Sequence, residues 1–584
     1  MKKLDLPSFS SGFIYLISVF FLLVTIKILI SFYFKSPWIF ADETVYAETA
    51  RNILHGEFYS KLQHCQNYPP GYPFFISIVY LIFGNSTANY QWMLIINSFL
   101  TSSIIFPVYF LLKKFSSEKF SILGSLFVAI LPSVFLYNFV LMSENLFIPL
   151  FVYSLWFITE TFETNSKKWG ILAGFSIFLL FLTRSTGIAM VIGFFLTIAI
   201  NAFIQLRAKG PVRIVKENIF LIVSFCIPTI IWVLYRSKVG TTLVSDYNVN
   251  SYSSIIFKAV SDIQSFRRFL SLIIHEVEFL ILATYFILFV LSLYSLYLIL
   301  NFSDKENQKK MAFKSGAIYY LVSSILLVII TVAHMSLGLF PNELDYYNIL
   351  GRYIDPLVPV ITIFGLIGLY IILNRKTEKE TIILLMSSSI LPIIFLFAID
   401  FPSIYYKFPN MFTIFYIQSV TTFLPVTYFI CLFAITVFVF FTIIVYNKKF
   451  WPFFIIFLMF IIVIGLHSTI KIQLAESSNT EKINQFGHFL IDHSNESSRI
   501  LMTREDFSHP LGMKIWFATQ FYSNGYLIIN DTCAPISNVN CQMDRDNDYL
   551  ISSKMLPYHL IIRSKSGYRL YDLKKPENQT IELP

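Results

Sequence analysis

Charged residues are scarce in this chain of 584 residues, since Asp, Glu, Lys and Arg together make up 14% of it. A typical soluble domain contains about 25%. Hydrophobic residues account for 56% of the positions, phenylalanine alone for 63 of them, and the mean hydropathy is +0.65. This composition excludes an ordinary soluble protein and predicts an integral membrane protein that lies in the lipid bilayer.

Cysteine is also rare, with five residues in the whole chain, which excludes a disulfide scaffold. Cys226 and Cys431 lie in apolar runs and are expected to be inert core thiols. Cys533 and Cys541 lie close together near the C-terminus. They either pair in an oxidising compartment or remain free thiols. No spacing of cysteine and histidine is typical of a zinc site.

Long apolar runs are abundant, and they recur as far as position 470. Crossing a bilayer takes about 20 such residues, and on that basis we place about thirteen transmembrane helices. A further run at 74–83 is either a re-entrant segment or a short fourteenth element. The predicted fold class is therefore an all-α polytopic membrane protein. The predicted spans are roughly 12–34, 90–112, 120–140, 143–160, 169–183, 186–206, 218–236, 276–301, 315–338, 353–373, 381–399, 421–446 and 450–470.

Lysine and arginine are unevenly distributed among the loops between these runs. With the N-terminus in the cytoplasm, every inner loop carries at least two cations, beginning with Lys2 and Lys3. Short outer connections hold only isolated ones, such as Arg184, Arg352 and Lys407. The net charge of +9 therefore mostly reflects the orientation of the chain in the membrane. It does not indicate nucleic-acid binding. An odd number of spans predicts a multi-pass plasma-membrane protein whose C-terminus lies outside the cell.

Three polar segments are expected on the outer side: the loops 35–89 and 237–275, and the tail 472–584. We predict a transmembrane domain over 1–471 and a small extracytoplasmic α/β domain over 472–584, where the composition changes abruptly. An amphipathic helix near 480–491 precedes short β-rich runs in this tail. The predicted strands are Arg499–Thr503, Tyr526–Asn530, Tyr558–Arg563 and Tyr568–Leu573.

An acidic pair, Asp42 and Glu43, follows the first span, and the proline-rich turn 68–73 (Tyr-Pro-Pro-Gly-Tyr-Pro) precedes the next apolar run. Carboxylates are costly near hydrocarbon, so a pair at the membrane face indicates a chemical role. The alternative is that Asp42 only caps an interfacial amphipathic helix, Glu43–Leu54. The order of span, acidic pair, amphipathic helix and turn resembles the first external loop of membrane glycosyltransferases that use polyprenyl-phosphate sugars. These include the aminoarabinose transferases of lipid A and the protein O-mannosyltransferases.

This resemblance implies a C-type glycosyltransferase fold and transfer of a monosaccharide from a polyprenyl-phosphate donor, with inversion. The acceptor would be an extracytoplasmic protein, glycolipid or surface glycan. Asp42 would be the general base, a role worth about 10²–10⁴-fold in rate. Glu144, which follows Ser143 at the outer end of a span, would orient the acceptor or help to hold a metal. Its alternative is a carboxylate in the first turn of a helix.

The donor phosphate needs cations or hydroxyls. Arg184, Arg352 and Tyr353 are the expected phosphate-binding residues, although either arginine could instead snorkel to the interface. We expect Glu43, Tyr46, Tyr68 and Tyr72 to bind substrate. The alternative for the tyrosines of the turn is the aromatic belt of the membrane interface.

The sequence establishes no cofactor, and a divalent metal ion held by Asp42, Glu144 and His275 is one hypothesis. An interfacial histidine without a metal is the alternative. The aminoarabinose transferases have an acidic-basic pair where this chain has Gln66 and Asn67. The metal and phosphate contacts of that pair therefore cannot be carried over to this chain.

A polytopic lipid-glycan flippase or transporter is the competing class. Such a protein should show internal repeats and paired broken helices, and the sequence shows no repeat. An oligosaccharyltransferase should carry a Trp-Trp-Asp-type motif in its external domain, and none occurs here. The notable charges cluster at one membrane face, which favours an enzyme that acts there.

Overall fold

The computed structural model describes most of the chain, with gaps. The predictions for Lys2, Lys3, Gln66, Asn67, Lys407, Cys533 and Cys541 lie outside the described residues, as do the loop 240–262 and all of the span 381–399 except 383–384 and 387. The described residues are 11–38, 40–60, 68–209, 211–239, 263–301, 308–334, 351–374, 383–384, 387, 412–414, 426–494, 498–503, 506, 508–523, 526–530, 548–554, 558–563 and 567–573.

Helices dominate the described residues, as the composition predicts. Short 3-10 helices lie at Leu136–Phe139, Ser185–Gly187, Phe412–Ile414 and Lys448–Phe450. The α-helices are α1 (Ser11–Ser31), α2 (Phe40–Ile53), α3 (Gly71–Phe83), α4 (Asn89–Ser102), α5 (Ile105–Lys113), α6 (Glu118–Ala129), α7 (Pro132–Phe135), α8 (Glu144–Thr164), α9 (Lys167–Thr183), α10 (Ile188–Lys209), α11 (Pro211–Val239), α12 (Ile263–Ala283), α13 (Ile287–Leu300), α14 (Gln308–His334), α15 (Gly351–Ile354), α16 (Leu357–Asn374), α17 (Val426–Tyr446), α18 (Trp451–Glu481), α19 (Gln485–His493) and α20 (Pro510–Tyr522).

Among the described residues, eight helices are long and apolar enough to cross a membrane, or up to ten if each bent pair is one span. The chain is thus a polytopic membrane protein, and the count of thirteen stays a prediction. Two predicted spans are broken. The first, 120–140, bends by 62° between α6 and α7, where Pro132 lacks the N–H that would continue the helix. The second, 276–301, bends by 102° between α12 and α13.

The C-terminal region contains a five-stranded mixed sheet in the order β2-β1-β3-β5-β4. β1 pairs in parallel with β2 and β3, while β5 pairs antiparallel with β3 and β4. The predicted strands are confirmed to within a residue or so, but β3 and the helix α20 were not predicted. β3 has only four residues, too few for an alternating pattern, and the apolar residues of α20 are nearly continuous, so neither shows a clear period. The strands are β1 (Arg499–Thr503), β2 (Tyr526–Asn530), β3 (Tyr549–Ser552), β4 (His559–Arg563) and β5 (Arg569–Asp572).

Helix α18 continues past the predicted end of the last span at 470 and past the predicted domain boundary at 471. A stripe of polar side chains, Thr469, Gln473 and Ser477, is buried along this extension. Ser477 donates to the carbonyl oxygen of Ser36 at 2.8 Å. The helix therefore extends beyond its apolar run because neighbouring residues, rather than lipid, cover it.

Candidate active site

The site begins on helix α2, which starts at Phe40 and not at the predicted Glu43. Asp42 therefore lies within the first turn, and its predicted alternative as the N-cap residue is wrong. A carboxylate in the first turn is favourable near the positive end of the helix dipole. Gly56, with a φ of 80°, lies just beyond the helix, as expected for a residue that ends one.

Both oxygens of the Asp42 carboxylate have partners from distant parts of the chain. The guanidinium Nη1 of Arg352 lies 2.8 Å from Oδ2. The hydroxyl of Tyr68 donates to Oδ1 at 2.6 Å. The structure thus brings together three of the predicted site residues: the acidic residue after the first span, the turn tyrosine and the late arginine.

Glu144 is the first residue of α8 and is 1% exposed. Its Oε1 forms an ion pair with Nη1 of Arg184 and lies 3.5 Å from Nε of Arg352. Ser143 donates to the other oxygen at 3.3 Å and accepts from Arg184 at 3.2 Å. Arg352 therefore stands between the carboxylates of Asp42 and Glu144.

Aromatic rings enclose this cluster. The guanidinium carbons of Arg184 and Arg352 each lie 5.3 Å from the ring centre of Tyr353, a cation–π distance. Tyr46 donates to Ser143 at 3.0 Å, and its ring centre is 5.1 Å from that of Tyr68. These rings hold the charged side chains in place and shield them from water.

The cluster holds two cations and two carboxylates in a mostly buried space. Burial alone would lower the pKa of Arg352, but Asp42, Tyr353 and Glu144 together raise it well above its usual range, so the guanidinium stays charged. Burial and the charge of Asp42 raise the pKa of Tyr68 well above its usual range, so its hydroxyl remains a hydrogen-bond donor. Removing water from such charges is costly unless each is paired, and here each is.

Glu43 and Tyr72, predicted to bind substrate, have other partners. Glu43 is fully buried and accepts from the backbone N–H groups of Trp38 at 2.8 Å and Leu141 at 3.0 Å. Tyr72 is fully buried and donates to Oδ1 of Asn97 at 3.0 Å. Neither side chain joins the ion-pair cluster through these contacts.

His275 does not join Asp42 and Glu144. Its Nδ1 lies 2.9 Å from Oε2 of Glu278, three residues further along α12. Within the described ranges, no three His, Cys, Asp or Glu side chains lie together as metal ligands. The two predicted carboxylate ligands face guanidinium groups instead, so these residues do not fit the expected metal site.

Sequence reasoning missed Asp355, which lies one turn after Arg352 and is fully buried. Tyr137 donates to its Oδ2 at 2.7 Å, and Thr413 donates to its Oδ1 at 2.6 Å. The carboxylate thus joins the short helix α15, which carries Arg352, to two other segments. Its position three residues after the arginine is the one signal that could have found it.

The arrangement has two chemical capacities. Asp42 lies outside the predicted hydrocarbon spans and offers a carboxylate that can accept a proton. Arg352 and Arg184 offer forked N–H donors of the kind that bind phosphate oxygens. The proton acceptor and the phosphate-binding donors lie side by side, because Arg352 contacts both Asp42 and Glu144.

Known proteins resemble this chain in sequence and in structure. A family model described as dolichyl-phosphate-mannose-protein mannosyltransferase matches residues 67–232. ArnT from Cupriavidus metallidurans bound to undecaprenyl phosphate has a TM-score of 0.51 at 12% identity, over 89% of this chain and 86% of that one. The apo oligosaccharyltransferase of Archaeoglobus fulgidus has a TM-score of 0.40 at 12% identity, over 92% of this chain and 69% of that one. No curated protein matches the sequence.

The chain therefore has the fold of the C-type membrane glycosyltransferases, as the resemblance of its first outer loop predicts. The resemblance to the mannosyltransferase and aminoarabinose transferase group is confirmed, because a sequence model and a solved structure both match. The sequence match includes Tyr68, Glu144 and Arg184 but not Asp42 or Arg352.

Proposed function

We propose that this protein transfers a monosaccharide from a polyprenyl-phosphate donor to a hydroxyl group of an extracytoplasmic acceptor, with inversion at the anomeric carbon. The observation that supports this best is Arg352, shared between the carboxylates of Asp42 and Glu144. A guanidinium, a group of the kind that binds phosphate, thus lies beside a carboxylate, a group of the kind that accepts a proton. The similar ArnT structure was solved with undecaprenyl phosphate, which agrees with a lipid phosphate as the donor's carrier.

The reaction requires one bond to form and one to break. The acceptor oxygen attacks the anomeric carbon from the face opposite the phosphate, and the bond from that carbon to the phosphate oxygen breaks. Asp42 takes the proton of the acceptor hydroxyl. Arg352 and Arg184 stabilise the negative charge that develops on the leaving phosphate, because preorganised donors cost little reorganisation in a water-poor site.

Both oxygens of Asp42 already accept a hydrogen bond, so an acceptor hydroxyl has to compete with these partners for the carboxylate. Arg352 occupies Oδ2 and Tyr68 occupies Oδ1. A donor phosphate would draw Arg352 away from Asp42, since a phosphate competes well for a guanidinium fork. Donor binding would thus release the base, and we expect the donor to bind before the acceptor.

The test is an Asp42→Asn variant, purified beside the parent protein and assayed for release of radiolabelled sugar from a panel of polyprenyl-phosphate donors. Asparagine keeps the side-chain shape but cannot accept the proton, so transfer should fall by about 10²–10⁴-fold. Binding of undecaprenyl phosphate should persist. The matched control is Asp492→Asn, at an exposed position of α19. Full transfer by Asp42→Asn would exclude Asp42 as the base.

A lipid flippase is a second candidate, favoured by the two bent helix pairs α6–α7 and α12–α13, since broken helices are typical of transporters. The same purified protein decides between the two. If the parent transfers no sugar from any donor but accelerates movement of a labelled polyprenyl-phosphate sugar across liposomes, the flippase function replaces the transferase.

A further inference from the structure

The C-terminal end of helix α20, in the predicted external domain, receives hydrogen bonds from the first outer loop. Nη1 of Arg51 donates to the carbonyl of Ser523, and Nη2 donates to that of Gln520 at 2.9 Å. Asn85 donates to the carbonyl of Tyr522 at 2.6 Å. Side chains far away in sequence therefore satisfy the last carbonyl groups of this helix.

These contacts fit the physics of a helix end. The last four carbonyl groups of an α-helix lack partners within the helix, and they form the negative end of its dipole. The planar fork of an arginine can reach two of them at once and adds a favourable charge. A lysine places all of its donors on one nitrogen and lacks the planar fork whose two nitrogens reach these two carbonyls separately.

Helix α2 packs against α20 along the same interface. Thr44 is fully buried and donates to the carbonyl of Phe517 at 3.2 Å. Ala47 and Ala50 are also fully buried, and their small side chains allow helices to approach closely. Phe521 of α20 belongs to the main hydrophobic core of the protein, where its ring centre is 5.9 Å from that of Tyr90.

The same helix α2 carries Asp42, nine residues before Arg51. The contacts of Asp42 with Arg352 and Tyr68 depend on where α2 lies, because those partners belong to other elements. α2 itself is a short helix of 14 residues, which is marginal without tertiary contacts. Its placement must come from packing, and α20 supplies part of that packing.

We propose that Arg51 is a positioning residue: by binding the end of α20 it locks α2 to the C-terminal region and so sets Asp42 against Arg352 and Glu144. This inference rests on the proposed function. The C-terminal region would thereby act on turnover indirectly, through the position of α2. A misplacement of about 1 Å can cost on the order of 100-fold in rate, so a loosened α2 should slow transfer more than it weakens donor binding.

The test compares the full-length parent with Arg51→Lys and Arg51→Gln. We expect kcat to fall about ten- to hundredfold while the affinity for undecaprenyl phosphate changes less than twofold. Hydrogen exchange of the backbone amides over 40–53 should speed up, with the amides of α4 unchanged. Arg51→Lys keeps the charge and guards against a variant that fails to fold. The matched control is Arg236→Gln, at an exposed arginine near the end of α11.

The outcomes separate the two proposals. Unchanged exchange over 40–53 in both Arg51 variants overturns the inference, whatever the transfer assay shows. Faster exchange with full transfer overturns it as well, since α2 would then move without consequence. A parent that transfers no sugar from any donor refutes the proposed function; in that case the exchange measurement alone decides whether Arg51 locks α2.

Discussion

At the scale of single residues, Asp355 shows burial and hydrogen bonding acting in opposite directions. Burial raises the pKa of this carboxyl to about 7, while the hydroxyls of Thr413 and Tyr137 lower it. The effect of burial is the larger one, because two neutral hydroxyl groups stabilise the charged carboxylate less than the water that burial removes. Asp355 lies just before the helix Leu357–Asn374, which is long and apolar enough to cross a membrane, and three residues after Arg352.

This shift has a definite sign for stability. The pKa of Asp355 in the folded protein, about 7, lies above the value of about 3.9 for an unfolded chain. The folded state therefore binds more protons in between, and stability should fall as the pH rises from about 4 to about 7. Asparagine has nearly the same shape and does not titrate, so the Asp355→Asn variant should not lose this stability as the pH rises.

We predict that the thermal unfolding midpoint of Asp355→Asn, minus that of the parent, is larger at pH 8 than at pH 5. The measurement is a thermal unfolding series of both purified proteins in matched buffers. A difference that stays constant over this range would mean that Asp355 does not titrate there.

At the scale of elements, the segment between α7 and α8 consists of the 3-10 helix Leu136–Phe139 and non-helical backbone, and it shows how backbone groups outside α-helices find partners. Such backbone is tolerated only where protein groups satisfy it. The carbonyl of Phe139 accepts from Trp38 at 3.3 Å and from Tyr90 at 3.2 Å. The N–H of Leu141 donates to Glu43. Glu43 thus supports the segment that leads directly into Glu144.

We predict that Glu43→Gln destabilises the protein, by about 2 kcal/mol, without removing a catalytic group. A glutamine side chain has one acceptor oxygen and would set its own N–H against the N–H of Trp38 or of Leu141. The measurement is the shift of the thermal unfolding midpoint, with Asp492→Asn as the exposed control. Unchanged stability combined with loss of donor binding would support the sequence-based role of Glu43 in substrate binding.

At the scale of the whole molecule, the positions of the cations predict the orientation in the membrane. Asp42, Glu144 and the C-terminal region would face outward, where a lipid-linked donor and a water-soluble acceptor can meet. The start of α9, with Lys167 and Lys168, would face the cytoplasm. The proposed reaction depends on this arrangement.

We predict that a cysteine introduced by Thr87→Cys, in the exposed loop between α3 and α4, reacts with a membrane-impermeant maleimide in intact cells. A cysteine introduced by Lys168→Cys should react only after permeabilisation. The parent protein, with its natural cysteines, supplies the background. Reaction of both or neither in intact cells would contradict the orientation.

Much of the fold could be read from local patterns. The strands Arg499–Thr503 and Tyr526–Asn530 are where their β-rich runs predict them. The start of α2 could not be found, because the apolar residues before Asp42 read equally well as the end of a span. The bend at Pro132 and the break after Ala283 were also missed, because the mean hydropathy of a run of residues does not show whether its helix is straight or bent.

The sequence by itself determined the membrane class and the resemblance to polyprenyl-phosphate glycosyltransferases, and it indicated Asp42, Glu144, Arg184 and Arg352 as candidate site residues. Each is a property of composition or of residues close together in the chain. Only the tertiary structure decided that Arg352 lies between Asp42 and Glu144, that Glu43 supports backbone, and that Arg51 binds the end of α20. Those pairings join residues up to several hundred positions apart, and the packing of helices, which no local pattern encodes, brings them together.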